Sequence, residues 1–430
     1  MKLAVVLFGQ PRFWDLSYKS IIQETTFDNS TTDYYFHFWD KIAYNTDDPE
    51  YKLTDTDKAN IVDAYKPKNY SFSDYSILEE TCDDVYRIVK KQKKELNKFL
   101  DEKHGTPEKE LLPTDTIEDI INNVRTLNND NIQRHASRLR KTIFEVTQPK
   151  NLTYFLGQFV SLQEGAKLVE EEGEEYDYIF RLRTDVLFVT PDLYKNKTDY
   201  LNDKQLFYNR IENLDKGIFC RTGDLQIWEG SCHSDDVGVK NKSGLPNYGP
   251  KERIFCSRFK YANNKMTARP HKSSITKKLH TSNSKNTKSH TYNPETQYLH
   301  MKDWFMVGSG SEMLLSMKQY VNTIIHLIKK SKQFLIDNGI DNNWAAGELV
   351  CGEVLGLNGI SAAELGFEHY GEMIIPNRFI KIANDHTKEF ILNRPHVRVL
   401  ADSDIPVEEQ YKELIQTFYM KPHMKDKINI

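Results

Sequence analysis

Leu3-Ala-Val-Val-Leu-Phe8 is an uninterrupted apolar run, and it constrains the fold of this chain more than any other stretch. A strand with one wet face alternates apolar and polar residues. A run without alternation belongs to a strand covered on both faces, the usual situation in a parallel sheet. Gly9-Gln10-Pro11-Arg12 breaks the run as a loop at the strand's carboxyl end, and residues 14–24 have the patterning of a helix. Tyr34-Tyr-Phe-His-Phe-Trp39 reads as a second strand, closed by Asp40. Strand, helix and strand at this spacing make a βαβ unit, in which ligands gather at the carboxyl ends of the strands. The expected fold is therefore α/β, with a mostly parallel central sheet flanked by helices.

A third strand carries the most suggestive chemistry. In Tyr176-Asp-Tyr-Ile-Phe-Arg-Leu-Arg-Thr-Asp185-Val-Leu-Phe188, positions 181, 183 and 185 alternate with Leu182, Thr184 and Val186. In a strand, Arg181, Arg183 and Asp185 therefore point the same way. Two guanidiniums and a carboxylate at a strand end suit a diphosphate, with or without a divalent metal, better than they suit a core.

The rest of the chain supplies helices and interruptions. Residues 153–172 form an amphipathic pattern with Phe155, Phe159, Leu162, Ala166 and Val169 on one face. Further strands are expected within 205–229, a long helix over 311–337 and another helix beginning at Gly347. Residues 79–150, charged with apolar residues at helical spacing, read as a helical insertion. Residues 240–290 hold thirteen Lys or Arg against one acid, Glu252. That composition, extended to 295, predicts a basic flexible loop, and its sharper reading is an electropositive flap over an anionic substrate. One catalytic domain over 1–375, interrupted by these two segments, and a C-terminal appendage over 376–430 complete the organisation.

Composition excludes more than it assigns. A net charge of −4 gives no global argument for nucleic acid or membrane. The five cysteines are scattered without a C-x-x-C, which argues against a zinc site and for reduced thiols in a cytoplasmic protein. The six apolar residues before Gly9 are too few for a signal peptide or an anchor, and no transmembrane segment is expected.

Several other residues have chemistry worth naming. Gly9 lets backbone approach a ligand, while Gln10 and Arg12 can bind base, ribose or phosphate. This is neither G-x-G-x-x-G nor a Walker sequence, so the usual dinucleotide and P-loop folds are disfavoured. His37 reads as a satisfied core histidine, and Trp39 as either core or a base-stacking platform. Lys302-Asp303-Trp-Phe-Met-Val-Gly308 sets an acid beside aromatics, a pattern that suits a sugar with a hydroxyl to deprotonate. Glu348 opens the helix after Gly347.

Taken in order, Val-Leu-Phe-Gly-Gln-Pro-Arg, Tyr-Phe-His-Phe-Trp-Asp, Tyr-Asp-Tyr-Ile-Phe-Arg-Leu-Arg-Thr-Asp, Lys-Asp-Trp-Phe-Met-Val-Gly-Ser and Gly-Glu-Leu-Val-Cys-Gly-Glu-Val-Leu resemble GT-A-fold glycosyltransferases. The nearest kinds are those of bacterial surface-polysaccharide clusters and large viruses, including WavE-like proteins. The resemblance covers about 1–45, 150–230 and 295–365. It implies a nucleotide-diphosphate-sugar donor at the sheet's carboxyl edge, a glycan or polysaccharide acceptor, and no nucleic-acid partner. The family's D-x-D triplet, which ligates a metal, aligns with Arg183-Thr184-Asp185, where only the last acid matches. Mn2+ or Mg2+ on Asp185 alone is the implied cofactor, with Arg183 supplying charge a metal would otherwise bring. Gly9, Gln10, Arg12, Trp39, Gln158, Arg181, Arg183 and Asp185 are then the donor-binding residues. Asp303 is the first choice to face the acceptor hydroxyl and Glu348 the second. A nucleotidyltransferase, a non-catalytic carbohydrate-binding or virion-associated protein on the same scaffold, and a nucleic-acid-binding module based on the basic stretch 240–290 are the competing expectations.

Overall fold

The computed structural model describes residues 1–12, 14–27, 29–41, 52–91, 94, 149–184, 186–188, 216–220, 225–232, 249–270, 289–295, 297–303, 305–338, 347–364 and 372–374. The C-terminal appendage and all of the helical insertion but 79–91, 94 and its last two residues lie outside this set.

The unalternating run forms β1 (Lys2–Gly9), with six of its eight residues buried. It pairs in parallel with β2 (Thr31–Trp39) on one side and β4 (Tyr178–Arg183) on the other, and β2 pairs in parallel with β3 (Asn69–Ser73). Burial on both faces is what the apolar sequence requires. Next to β4 the sheet changes sense, because β12 (Phe305–Ser309) runs antiparallel, placing Phe305 opposite Leu182 and Ser309 opposite Tyr178. Beyond it come β6 (Ile218–Cys220), β13 (Ala362–Glu364), β8 (Gly249–Ala262), β9 (Lys265–Pro270) and β10 (His290–Thr291). Two further strands, β7 (Leu225–Cys232) and β11 (Gln297–Met301), pair with each other, and β7 also pairs with β8. The short β5 (Val186–Phe188) pairs with β14 (Glu372–Ile374). The fold is thus mixed α/β around an open sheet with a parallel core.

Helices cover both faces. On one, α1 (Trp14–Thr25) and α2 (Asp55–Tyr65) pack together, and Thr25 bonds the Tyr34 hydroxyl at 2.8 Å. After the short α3 (Ile77–Thr81), α4 (Pro149–Glu171) lies on β1 and β2 on the opposite face, burying Leu156, Phe159, Val160, Leu162, Ala166 and Val169. The expected single helix over 311–337 is two, α5 (Gly310–Lys318) and α6 (Tyr320–Asn338). The break falls at Gln319, whose backbone turns to φ −99° and ψ 1° with its N–H bonded to Ser316 O, three residues back. The helix starting at Gly347 is α7 (Gly347–Asn358), with Leu349 through Leu355 all buried.

The basic stretch departs from expectation more sharply. Within 240–295, residues 249–262 and 265–270 form a hairpin, not a loop. Its connection is Asn263-Asn264, with φ of 51° and 57°. Two consecutive positive-φ residues are the two-residue hairpin turn whose twist matches the strands, and asparagine tolerates that region best after glycine. Cys256, Phe259, Met266 and Ala268 supply the buried face that the cationic composition hid.

Candidate functional site

Strand order decides where a site can form. Connections leave β1 toward β2 and β3 on one side, and the chain returns to β4 on the other. At such a switch point the loops leaving the carboxyl ends of the two parallel strands part and open a crevice. Those ends are Gly9-Gln10 on β1 and Arg183-Thr184 on β4, joined by a 3.2 Å hydrogen bond from the Thr184 hydroxyl to Gln10 O. Because β12 is antiparallel, its beginning, and hence Asp303 just before it, lies beside the carboxyl end of β4.

Four of the named residues converge here. The Gln158 side-chain amide on α4 donates to Asp303 Oδ2 at 2.5 Å, and Arg183 Nη1 stands 3.8 Å from the same oxygen. The first residue of α7 closes against it, since a Cβ built on Gly347 would lie 3.2 Å from Asp303 Oδ2. Glu348 follows and is half-buried. Burial pushes the Asp303 carboxyl up, but Arg183, the Gln158 hydrogen bond and Arg181 outweigh it and hold the group below its ordinary value. Glu348 moves the other way: burial raises it first, and the neighbouring Asp303 charge raises it further. Two carboxyls close together, one held ionised and one held toward its neutral form, are the pattern in which acid and base roles separate.

The β1 loop forms the adjoining wall. Gly9 has φ +88°, a conformation that suits glycine, and nothing lies within 4 Å of where its Cβ would be. Its N–H donates to Ser161 Oγ at 2.7 Å. Gln10 is buried; its Oε1 accepts from Arg12 Nε at 2.7 Å, and its Nε2 has no hydrogen-bond partner among the described residues.

Two residues expected to meet the donor are placed in the core. Arg181 is fully buried on the same face of β4 as Arg183, with Nη1 donating to the Tyr320 hydroxyl at 2.6 Å and Nη2 to the Asp303 carbonyl at 2.7 Å. Its guanidinium also lies 5.1 Å from the rings of Phe8 and Tyr320. Those contacts occupy both terminal nitrogens, so it supports Asp303 from beneath and has no surface to offer a diphosphate. Trp39 is fully buried too; its Nε1 donates to Gly157 O at 3.0 Å and its ring stacks on Tyr75 at 4.4 Å, which rules out a base platform here. Asp185, the sole acid expected to bind a metal, lies outside the described residues.

His37 is the satisfied core histidine its sequence context suggested. Ser161 Oγ donates to His37 O at 2.7 Å, so His37 Nδ1, 2.9 Å away, must be the donor to Ser161 Oγ. Nε2 then accepts from Ser73 Oγ at 3.0 Å. Burial lowers its pKa to about 4, keeping the ring neutral. Ser161 thereby ties α4 to the ends of both β1 and β2. Nothing in the sequence distinguished this serine from others on the helix, and the same holds for Tyr320 and Cys351, whose Sγ lies 3.5 Å from both Arg181 terminal nitrogens.

Below the site, Glu353 fixes α7 to α6 by a buried ion pair and to β11 by a backbone hydrogen bond. Lys330 Nζ on α6 lies 2.9 Å from Glu353 Oε2, Tyr292 donates to Glu353 Oε1 at 2.8 Å, and Leu299 N–H of β11 donates to Oε1 at 2.7 Å. Gly352 sits directly against β11, where a Cβ would fall 2.3 Å from Leu299 O.

Comparisons with protein-family models, with curated proteins and with solved structures gave no match for this chain.

Proposed function

We propose that the chain is a glycosyltransferase of GT-A-like architecture that moves a sugar from a nucleotide-diphosphate donor to a hydroxyl of a glycan or polysaccharide. The observation that carries the reading is the Arg183–Asp303–Glu348 cluster at the carboxyl ends of the β1/β4 switch point. Arg183 and Arg12 supply positive charge for a leaving diphosphate, and the open backbone at Gly9 admits close approach. In the transfer, the bond from the sugar's anomeric carbon to the diphosphate oxygen breaks, and the acceptor oxygen bonds to that carbon. The acceptor proton passes to a carboxylate.

The electrostatics reverse the expected order of the two acids for that last step. A general base works best with a pKa near the operating pH. Asp303, held low by Arg183 and Gln158, is a weak base, and its role is to orient those two side chains. Glu348, held high, is the better proton acceptor.

The described residues do not fit a conventional divalent-cation site. No three His, Cys, Asp or Glu side chains converge among them, and Asp303 already has Arg183 as its counter-ion. Asp185, the acid expected to hold a metal, lies outside the described residues, and what these offer the leaving diphosphate is the guanidinium charge of Arg183 and Arg12. No helix among the described residues is long and apolar enough to cross a membrane, and four buried free cysteines support the cytoplasm as its place of action.

A thermal-shift screen of UDP-, GDP-, CMP- and dTDP-linked sugars, with and without Mn2+, tests this directly. One donor should raise the melting temperature in proportion to site saturation and be slowly hydrolysed. A shift with no turnover toward any acceptor would favour the non-catalytic binding reading, and no shift with any nucleotide sugar would remove the transferase.

A further inference from the structure

From Arg253 to Pro270 the β8–β9 hairpin carries charge of one sign only, and that sign is positive. On its outer face the residues pair across the strands as Arg258 with Arg269, Lys260 with Thr267 and Ala262 with Lys265. All four cations are exposed, while the alternating Phe259, Met266 and Ala268 are buried on the inner face. Like charges directly opposite on a sheet repel, and a solvated face ordinarily mixes signs. Among the described strand neighbours no acid is opposite them: Ala363 is the β13 neighbour of Arg258, and Thr291 of β10 is opposite Thr267. From Arg253 to Pro294 the chain has ten Lys or Arg and no Asp or Glu, although the whole chain has net charge −4.

The place of this face says what it is for. Register carries the alternation from Arg181 through Met306 on the site side, and from Leu182 through Phe305 and Val307 to Phe219, Ala363 and Arg258 on the other. The cations are therefore on the opposite face of the sheet from Arg183, Asp303 and Glu348. They are also four strands away, roughly 19 Å at the usual strand spacing. An anion held there is not a reactant. Between Arg258 and Arg269 the outer face has no aromatic side chain on which a base could stack and no apolar side chain larger than alanine to insert into a bilayer. What remains is an electrostatic contact.

We propose that the outer face of the β8–β9 hairpin docks this protein reversibly onto an anionic lipid bilayer, with Arg258, Lys260, Lys265 and Arg269 as the contact charges. Attraction of basic clusters to acidic headgroups needs no insertion and is screened by salt. The proposal stands apart from the donor reading, because it rests on a different face and different residues.

Co-sedimentation of the full chain with vesicles of phosphatidylcholine alone, or of phosphatidylcholine with phosphatidylserine, tests it. Binding should require phosphatidylserine and disappear at high salt. The variant with Arg258→Ser, Lys260→Ser, Lys265→Ser and Arg269→Ser should bind at least about tenfold more weakly while keeping its melting temperature. Unchanged vesicle binding by that variant would overturn the assignment. So would absence of vesicle binding by the wild type, whether or not it retains an acidic polysaccharide such as polygalacturonate or an oligonucleotide.

Discussion

Arg183 and Asp303 meet at 3.8 Å across two strand ends that are 120 residues apart in sequence, and that contact splits the behaviour of two carboxyl groups. With Arg183 and Gln158 on one side, Asp303 stays ionised; with Asp303 on its own side, Glu348 resists ionisation. Asp303→Asn removes the charge that raises Glu348, so Glu348 should ionise at lower pH. The acid limb of the pH–kcat/KM profile should shift toward lower pH in this variant. Glu348→Gln should lower kcat by about 10²- to 10⁴-fold, the usual span for loss of a positioned proton acceptor. An Asp303→Asn profile shifted upward would contradict the coupling.

The same pair bears on stability. A carboxyl whose pKa is raised on folding binds its proton more tightly in the folded state, so ionising it at neutral pH weighs against the fold. Glu348→Gln should therefore raise the melting temperature at pH 7 to 8 and leave it nearly unchanged at pH 4, below the unfolded value of about 4.3. Thermal unfolding across that range checks the sign.

His37 gives an opposite, acid-sensitive contribution. Its pKa falls from 6.5 unfolded to about 4 folded through burial, so the unfolded chain binds the extra proton first. The stability it contributes is complete above pH 6.5 and is lost as pH falls toward 4, amounting to about 3 kcal/mol. Urea unfolding at pH 7 and pH 4.5 should show this loss in the wild type and a smaller one in His37→Gln.

Trp39 offers a test of core against ligand contact. Trp39→Ala should cost about 3–5 kcal/mol of stability, as expected for emptying a buried aromatic site and leaving Gly157 O without its donor. Trp39→Phe keeps most of the volume and should cost less. If either variant lost donor affinity with stability intact, Trp39 would be touching the donor.

The Lys330–Glu353 pair should be strongly non-additive. Lys330→Met or Glu353→Gln alone leaves a buried charge without its partner, at about 3–5 kcal/mol. The double variant should lose clearly less than the sum of the two, measured by a double-mutant cycle in urea.

Much of the parallel core was readable because one physical rule governs each piece. The unalternating run at 3–8, the aromatic second strand and the Arg-Leu-Arg strand all appear where their patterns put them, and so do α4 and α7. Arg183, Asp303 and Glu348 were named from residue type and local context, Gln158 from the family resemblance, and the fold brings them together. The roles of Arg181 and Trp39 were not legible, since alternation says which face a side chain takes but not whether another layer covers it. The β8–β9 hairpin escaped because charge composition outweighed a weak alternation, although Asn263-Asn264 was a local turn signal. Nor could periodicity place β12 antiparallel beside β4, a pairing fixed only by tertiary packing.

The seating of Gly352 against Leu299 has a consequence for motion. With backbone touching backbone there, and the Lys330–Glu353 pair beneath, the helix bearing Glu348 cannot slide or tilt without breaking both contacts. That side of the crevice acts as an anvil. Any closing stroke over a bound molecule falls to the opposite side, where Gly9 stands in open space and Gln10 keeps one donor unspent.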